Sequence, residues 1–265
     1  MKVDSVIESK TNKKYKFLKS LLNKKFREKE KLFFAEGVKV IEESLDFVKP
    51  EFIALSENFD DEALIKKLTE NACEIYYFSE KLFKNLTDTL NSQGIIGYYK
   101  QLHISGIDNI KKGKYLYLDQ LQDPGNIGTL IRSAIAFNLD GIIFSSDSVE
   151  IYNPKLIRST MASIFKIKIY LLDKKEDLEK LKDKKFEIIT TSLDFKNPSY
   201  NYDFSDDFIL VLGNEANGVS DYLMSISDRN IYIPISENLE SLNVGVAGSI
   251  IMYEINRKWW YAYFR

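Results

Sequence analysis

From residue 114 onward the chain alternates short apolar runs with helix-like stretches, and this alternation leaves the least freedom to the fold. Strands are expected near residues 115–119, 141–145, 167–171, 186–191, 207–212 and 230–234. Helices should start near Asn126, Pro154, Lys175, Gly218 and Ser241. Apolar strands separated by helices imply a parallel sheet covered on both faces. Ligands of such sheets sit at loops leaving the carboxyl ends of the strands. Residues 1–100 alternate as well, with KLFFAEG, EFIALSE, EIYYFS and GIIGYYK between helical segments, which predicts a small α/β domain. Residues 101–113 are polar, carry two glycines and read as a linker, so the second domain should span 114–265.

Composition removes several kinds of chemistry. The lone Cys73 forms no disulfide within the chain and, in NACEIYYF, is expected as a small buried residue beside a strand. The lone His103 falls in the polar linker, so any mechanism must work without a histidine base, and no metal site is expected. No apolar stretch approaches the ~20 residues of a membrane span, and the first residues lack the apolar centre of a signal peptide. A cytoplasmic protein is expected.

The net charge of -2 conceals an asymmetry: residues 1–31 sum to +7 and the remaining 234 to -9. In KKYKFLKSLLNKKFREKEK, residues Phe17, Leu18, Leu21, Leu22 and Phe26 follow helical spacing and leave the lysines outward. A nucleic acid would land on this end, and Lys13, Lys14, Lys24, Lys25 and Arg27 are its candidate contacts. Charge alone serves a solvated helix face equally well.

Three loops of the second block are chemically unusual. After YLYLD, a turn at Asp123-Pro124-Gly125 leads to Asn126 as an expected N-cap, and Gly128 lies four residues before Arg132 on one helix face. A glycine there would let a phosphodiester reach Arg132 and the helix amides, although a capped helix whose arginine pairs with a carboxylate is the simpler reading of this loop alone. PGNIGT lacks the glycine fingerprint of a dinucleotide site, which weighs against a nucleotide-dependent enzyme of conventional topology. LVLGNEANGVSD places Asn214, Glu215 and Asn217 between Gly213 and Gly218, and by spacing alone is an ordinary turn. IPISENLESLNVGVAGSIIMYEINRK offers Ser241 or Asn243 as a cap, then a helix side made of small residues suited to close packing.

The order and combination of these loops resemble motifs one, two and three of the SpoU (TrmH-type) RNA ribose 2′-O-methyltransferases of the SPOUT class. The resemblance covers roughly residues 114–257, and SKTNKKYKFLKSLLNKKFREKEKLFFAEGVKVIEESL is similar to the L30e-like RNA-binding domain many members carry. It implies an α/β, knotted parallel-sheet catalytic domain with a C-terminal trefoil knot, S-adenosylmethionine as cofactor and a homodimer. Gly213, Ile233 and Leu242 would then contact the cofactor largely through backbone. Asn126, Arg132, Glu215, Ser241 and Asn243 would form the catalytic set. NPKLIRSTMASIF also matches a family segment, offering Arg158 as a second phosphate contact, with Ala162 standing where glycine is usual.

The implied reaction is methylation of a ribose 2′-hydroxyl, in 23S-type rRNA before tRNA. A ribosome-protecting resistance enzyme would carry the same motifs, and a non-catalytic RNA-binding protein is disfavoured by the complete catalytic set. Arg132 would clamp the adjacent phosphate and stabilise the developing alkoxide, with phosphate or water taking the proton. Asn126, Asn243 and Ser241 would orient ribose or loops, and Glu215 would support motif two.

Overall fold

The computed structural model describes residues 5–89, 91–192 and 197–263. Its contacts divide the chain into one unit of Met1–Gln101 with Tyr152–Phe165 and a second of Leu102–Ile151 with Lys166–Arg265.

The first unit contains β1 (Val6–Ile7), α1 (Lys13–Ser20), α2 (Lys24–Glu30), β2 (Leu32–Glu36), α3 (Val38–Ser44), β3 (Phe52–Ser56), α4 (Glu62–Glu70), β4 (Ile75–Phe78), α5 (Glu80–Phe83) and β5 (Ile95–Lys100). Its sheet runs β1-β4-β3-β5-β2, with β5 antiparallel to both neighbours. Side chains alternate across the sheet. Phe34, Ala54, Ile96 and Tyr98 meet Tyr15, Leu18 and Leu21 on one face, while Ile53, Leu55 and Ile95 meet Ile41, Leu64 and Leu68 in a separate cluster. Cys73 packs half-buried against that second cluster.

The basic segment is two helices rather than one. The break follows from local chemistry: Asn23 accepts from Lys25 N and starts α2, while Arg27 folds back so that Nη1 donates to the Leu21 and Leu22 carbonyls, each at 2.8 Å. Carbonyls at a helix end have no partner within the helix, and a guanidinium satisfies them. Arg27 is therefore 3% exposed, and the expectation of an RNA contact there is corrected to a structural role. Phe26, expected inward, is 40% exposed.

The second unit contains β6 (Ile104–Ser105), β7 (Lys114–Leu118), α6 (Pro124–Ala136) and β8 (Gly141–Ser145). After α7 (Pro154–Thr160), which belongs to the first unit, come β9 (Lys168–Leu172), α8 (Lys180–Asp183), β10 (Glu187–Thr191), β11 (Phe208–Leu212), α9 (Asp221–Ile226), β12 (Arg229–Ile231) and α10 (Val244–Tyr263). Its seven strands are all parallel, in the order β12-β10-β11-β7-β8-β9-β6. Tyr115, Tyr117, Ile143, Ile188, Ile209 and Val211 are buried on one face with Leu178, Leu181 and Leu223, and α10 packs on α6. The expected linker supplies the seventh strand and the buried Ile110, so it is part of this sheet. His103, in the same stretch, is half-buried. Among the described residues no helix is long and apolar enough to cross a membrane, and no cluster suits a metal ion.

Residues 152–165, placed by sequence in the 114–265 domain, group with the first unit because their aromatic ends are buried there. Tyr152 and Phe165 stand 4.7 and 5.9 Å from Phe33, and Phe165 4.7 Å from Tyr99. Met161 and Ala162 both take left-handed φ values, 48° and 67°, so Ala162 occupies a conformation that glycine adopts without strain. Phe33 is fully buried at the centre of this stack. Phe33→Ala should cost about 3–5 kcal/mol in denaturant unfolding, and protease should then cut within 152–165 before the rest of the chain.

Candidate active site

Chain order reverses between β7 and β11: from β7 the chain runs outward through β8 and β9, then crosses to β10 and β11 on the other side. In parallel sheets a crevice opens at such a switch point, beyond the carboxyl ends of the strands. The loops carrying the first two motifs leave these two strands, and hydrogen bonds stitch them together. The Asp119 amide donates to Leu212 O at 2.9 Å, its carboxylate accepts from Ser220 N at 2.8 Å, and Asn214 Nδ2 donates to Gln120 O at 2.9 Å. Asp119 is 2% exposed and was missed by sequence reasoning; its one signal was a charge closing an apolar strand.

Asp123, not Asn126, is the N-cap of α6, its Oδ1 accepting from Asn126 N at 2.8 Å. Pro124 fills the first helical position, where no amide donor is needed. Asn126 thus sits inside the first turn with its side chain free to reach outward. Its Nδ2 donates to Glu215 Oε1 at 3.0 Å and its Oδ1 accepts from Asn243 Nδ2 at 2.9 Å. One asparagine therefore joins all three motifs.

The polarity of this chain is determined at its far end. Asn243 Oδ1 caps α10 by accepting from Gly245 N at 2.9 Å and Val246 N at 3.2 Å, leaving only its NH₂ for Asn126. Asn126 must then present its oxygen to Asn243 and its own NH₂ to Glu215. The helix end orients three side chains in sequence.

Small residues bring α10 close. A Cβ on Gly248 would lie 2.4 Å from Leu130 Cδ2 and 2.5 Å from Leu212 Cδ1, and Ser249 Oγ hydrogen-bonds Ser133 Oγ at 2.7 Å. The small-residue face is thus used for packing within the chain. Gly128 and Arg132 stand one turn apart on the same side of α6, but the glycine is buried with Ile127 and Ile131 while Arg132 is exposed.

Arg132 makes no ion pair among the described residues, so the reading as an arginine paired to a carboxylate does not hold either. It stands six residues beyond Asn126, about 9 Å along the helix and well around it. Ser241 is exposed and outside the hydrogen-bonded chain. Gly213, Ile233 and Leu242 share another property: none takes part in a backbone hydrogen bond among the described residues; Gly213 is buried, and Ile233 and Leu242 are half-buried. Arg158 pairs with Asp88 in the first unit. Lys13 and Lys25 are exposed, Lys24 pairs with Glu28 at 3.6 Å, and Lys14 lies 3.7 Å over the Phe52 ring.

Gly213 also has a purely steric role. A Cβ there would fall 2.1 Å from both Gly218 C and Val219 N, so the loop closes on its own first residue. Gly213→Ala should destabilise severely, by more than about 3 kcal/mol. Gly218→Ala has open space and only its φ of 70° against it, and should cost about 1–2 kcal/mol. Thermal melts of the pair test this ordering.

Comparison with known proteins agrees with this geometry. Residues 113–253 match the SpoU rRNA Methylase family, and residues 12–97 the MRM3-like substrate binding domain. The chain is 33% identical over 249 residues to the Bacillus subtilis 23S rRNA (guanosine(2553)-2′-O)-methyltransferase RlmP, covering 94% of this chain and 98% of that protein. An AdoMet-bound rRNA methyltransferase from Sinorhizobium meliloti superposes with a TM-score of 0.86 at 26% identity, covering 96% and 98% of the two chains. The SpoU methyltransferase AviRb of Streptomyces viridochromogenes, at 21% identity over 93% of this chain and 98% of its own, shares the fold with a TM-score of 0.84. Matched along both units and through all three motif loops, the chain belongs to the SpoU rRNA methylase family.

Proposed function

We propose that this protein methylates a ribose 2′-hydroxyl in 23S-type rRNA with S-adenosylmethionine as cofactor. The observation that carries the reading is the Glu215–Asn126–Asn243 chain at the sheet's switch point, in a member of this family. The backbone groups of Gly213, Ile233 and Leu242 fit a cofactor held through amides and carbonyls. S-adenosylmethionine, when bound, supplies an electrophilic methyl group on a cationic sulfur.

The protein's own residues have three tasks. Asn126 and Asn243 hold the loops and face the ribose, with Ser241 as a further hydrogen-bonding group. Glu215 fixes motif two through Asn126. Arg132 clamps the phosphate beside the reacting ribose and stabilises the alkoxide as it forms; guanidinium groups remain charged at neutral pH, so phosphate or water takes the proton.

Assembly as a homodimer accounts for two features. Arg132 stands apart from its own chain's hydrogen-bonded network, and Val246, Ile250 and Tyr253 expose an apolar stripe on α10 at helical spacing. The trefoil knot is assigned to the loops 213–220 and 232–243, and the cytoplasm is the proposed site of action. Lys13, Lys14, Lys24 and Lys25 dock the RNA through phosphates, with the L30e-like unit as its platform.

The direct test is transfer of labelled methyl from S-adenosylmethionine to unmodified rRNA, followed by mapping of the ribose. Arg132→Ala should lower turnover by about a hundredfold or more with cofactor affinity little changed. Arg132→Lys should remain poor, because a point charge does not reproduce a bidentate fork. Near-normal turnover in Arg132→Ala would remove this role. Changing Lys13, Lys24 and Lys25 to Gln should weaken rRNA binding and reduce its logarithmic salt slope by about 2, leaving cofactor binding intact.

A further inference from the structure

The Arg158–Asp88 pair is built with more support than its strength requires. Arg158 Nη1 donates to Asp88 Oδ2 at 3.0 Å, with the side chains 33% and 51% exposed. Such solvent-exposed pairs contribute little net stability. Yet Asp88 is held firmly. Thr87 and Thr89, on either side of it, each donate a hydroxyl to the Glu36 carboxylate at 2.6 Å, and Thr89 N donates to Thr87 Oγ1 at 3.0 Å. Two charge-assisted bonds to both oxygens of one carboxylate fix this loop, and the residue between them is left to project.

Arg158 is anchored equally well. Asn153 Oδ1 caps α7 by accepting from Lys155 N at 2.9 Å, and Tyr152 and Phe165 stack on Phe33 at either end of the segment. Two rigid supports therefore meet in one exposed bond through a single Nη1. A guanidinium engaged at one nitrogen keeps most of its donor fork available, and that fork matches the oxygens of a phosphate.

We propose that Asp88 is a placeholder for an RNA phosphate on Arg158. The inference rests on the reading of the chain as an rRNA methyltransferase. In the free protein the Asp88 carboxylate holds the guanidinium extended; on binding, a phosphodiester takes both of its donor edges and Asp88 turns to solvent. The displaced carboxylate then repels any anion that is not fully seated. A phosphate placed by the rest of a correctly docked RNA wins this exchange, and one on a casually bound strand does not.

The test measures rRNA binding over a salt series for the unaltered protein, Arg158→Gln, Asp88→Asn and the double variant, with thermal melts as the folding control. Arg158→Gln should weaken binding and lower the salt slope by about 0.7–0.9, the value of one phosphate contact. Asp88→Asn should strengthen binding by up to about fivefold, and this gain should vanish in the double variant. Asp60→Asn, at another exposed acid of the same unit, should give a smaller gain that survives removal of Arg158. An unchanged slope in Arg158→Gln, or a gain from Asp88→Asn that persists without Arg158, overturns the proposal. Should Asn unfold the loop, Asp88→Ser replaces it under the same criteria. If the unaltered protein shows no salt-dependent rRNA binding, the functional reading fails first and this inference with it; if the lysine variants weaken binding while Arg158→Gln does not, only this inference fails.

Discussion

The candidate site depends on a cap. Asn243 gives its side-chain oxygen to the first amides of α10, and that commitment dictates which group it offers to Asn126 and which group Asn126 offers to Glu215. Without it, both asparagines could flip their amides at little cost, and the three loops would lose a common orientation. Because α10 packs through Gly248 and Ser249 onto α6 and β11, the helix that sets the polarity is itself fixed to the sheet. Packing and hydrogen bonding therefore reinforce each other at one place. Asp119 supplies the remaining constraint, holding motif two to the end of β7 from below.

Much of this was legible in the sequence, for identifiable reasons. All six strands expected after residue 114 are present, because runs such as FILVL, and IIF within GIIFS, are apolar at successive positions and suit a sheet buried on both faces. Asn126, Glu215 and Asn243, drawn from three distant motifs, do meet. What the sequence hid were competitions between neighbouring side chains. Asp123 took the cap expected of Asn126, since the helix begins one turn earlier at Pro124. Arg27 looked like part of a basic face until the break at Asn23 left carbonyls for it to satisfy. Periodicity reports which face is buried, not which of two nearby polar groups wins a backbone partner.

Charge was a fair guide to surface and a poor one to individual contacts. The +7 segment exposes Lys13 and Lys25, but the same stretch uses Arg27 inside, Lys24 with Glu28 and Lys14 over Phe52. A cation in a basic stretch has several local uses before it reaches a polyanion, and only the folded structure separates them.

The passage of residues 152–165 into the first unit bears on how proteins of this design can be recombined. The stretch between β8 and β9 is encoded within the catalytic half yet completes the aromatic core around Phe33 and Tyr99. An exchange of substrate domains at residue 101 would pair a foreign sheet with this protein's Tyr152 and Phe165. Such chimeras should inherit a mismatched core unless the insert travels with its domain. The functional boundary is thus discontinuous in the gene, and the two halves are constrained to vary together.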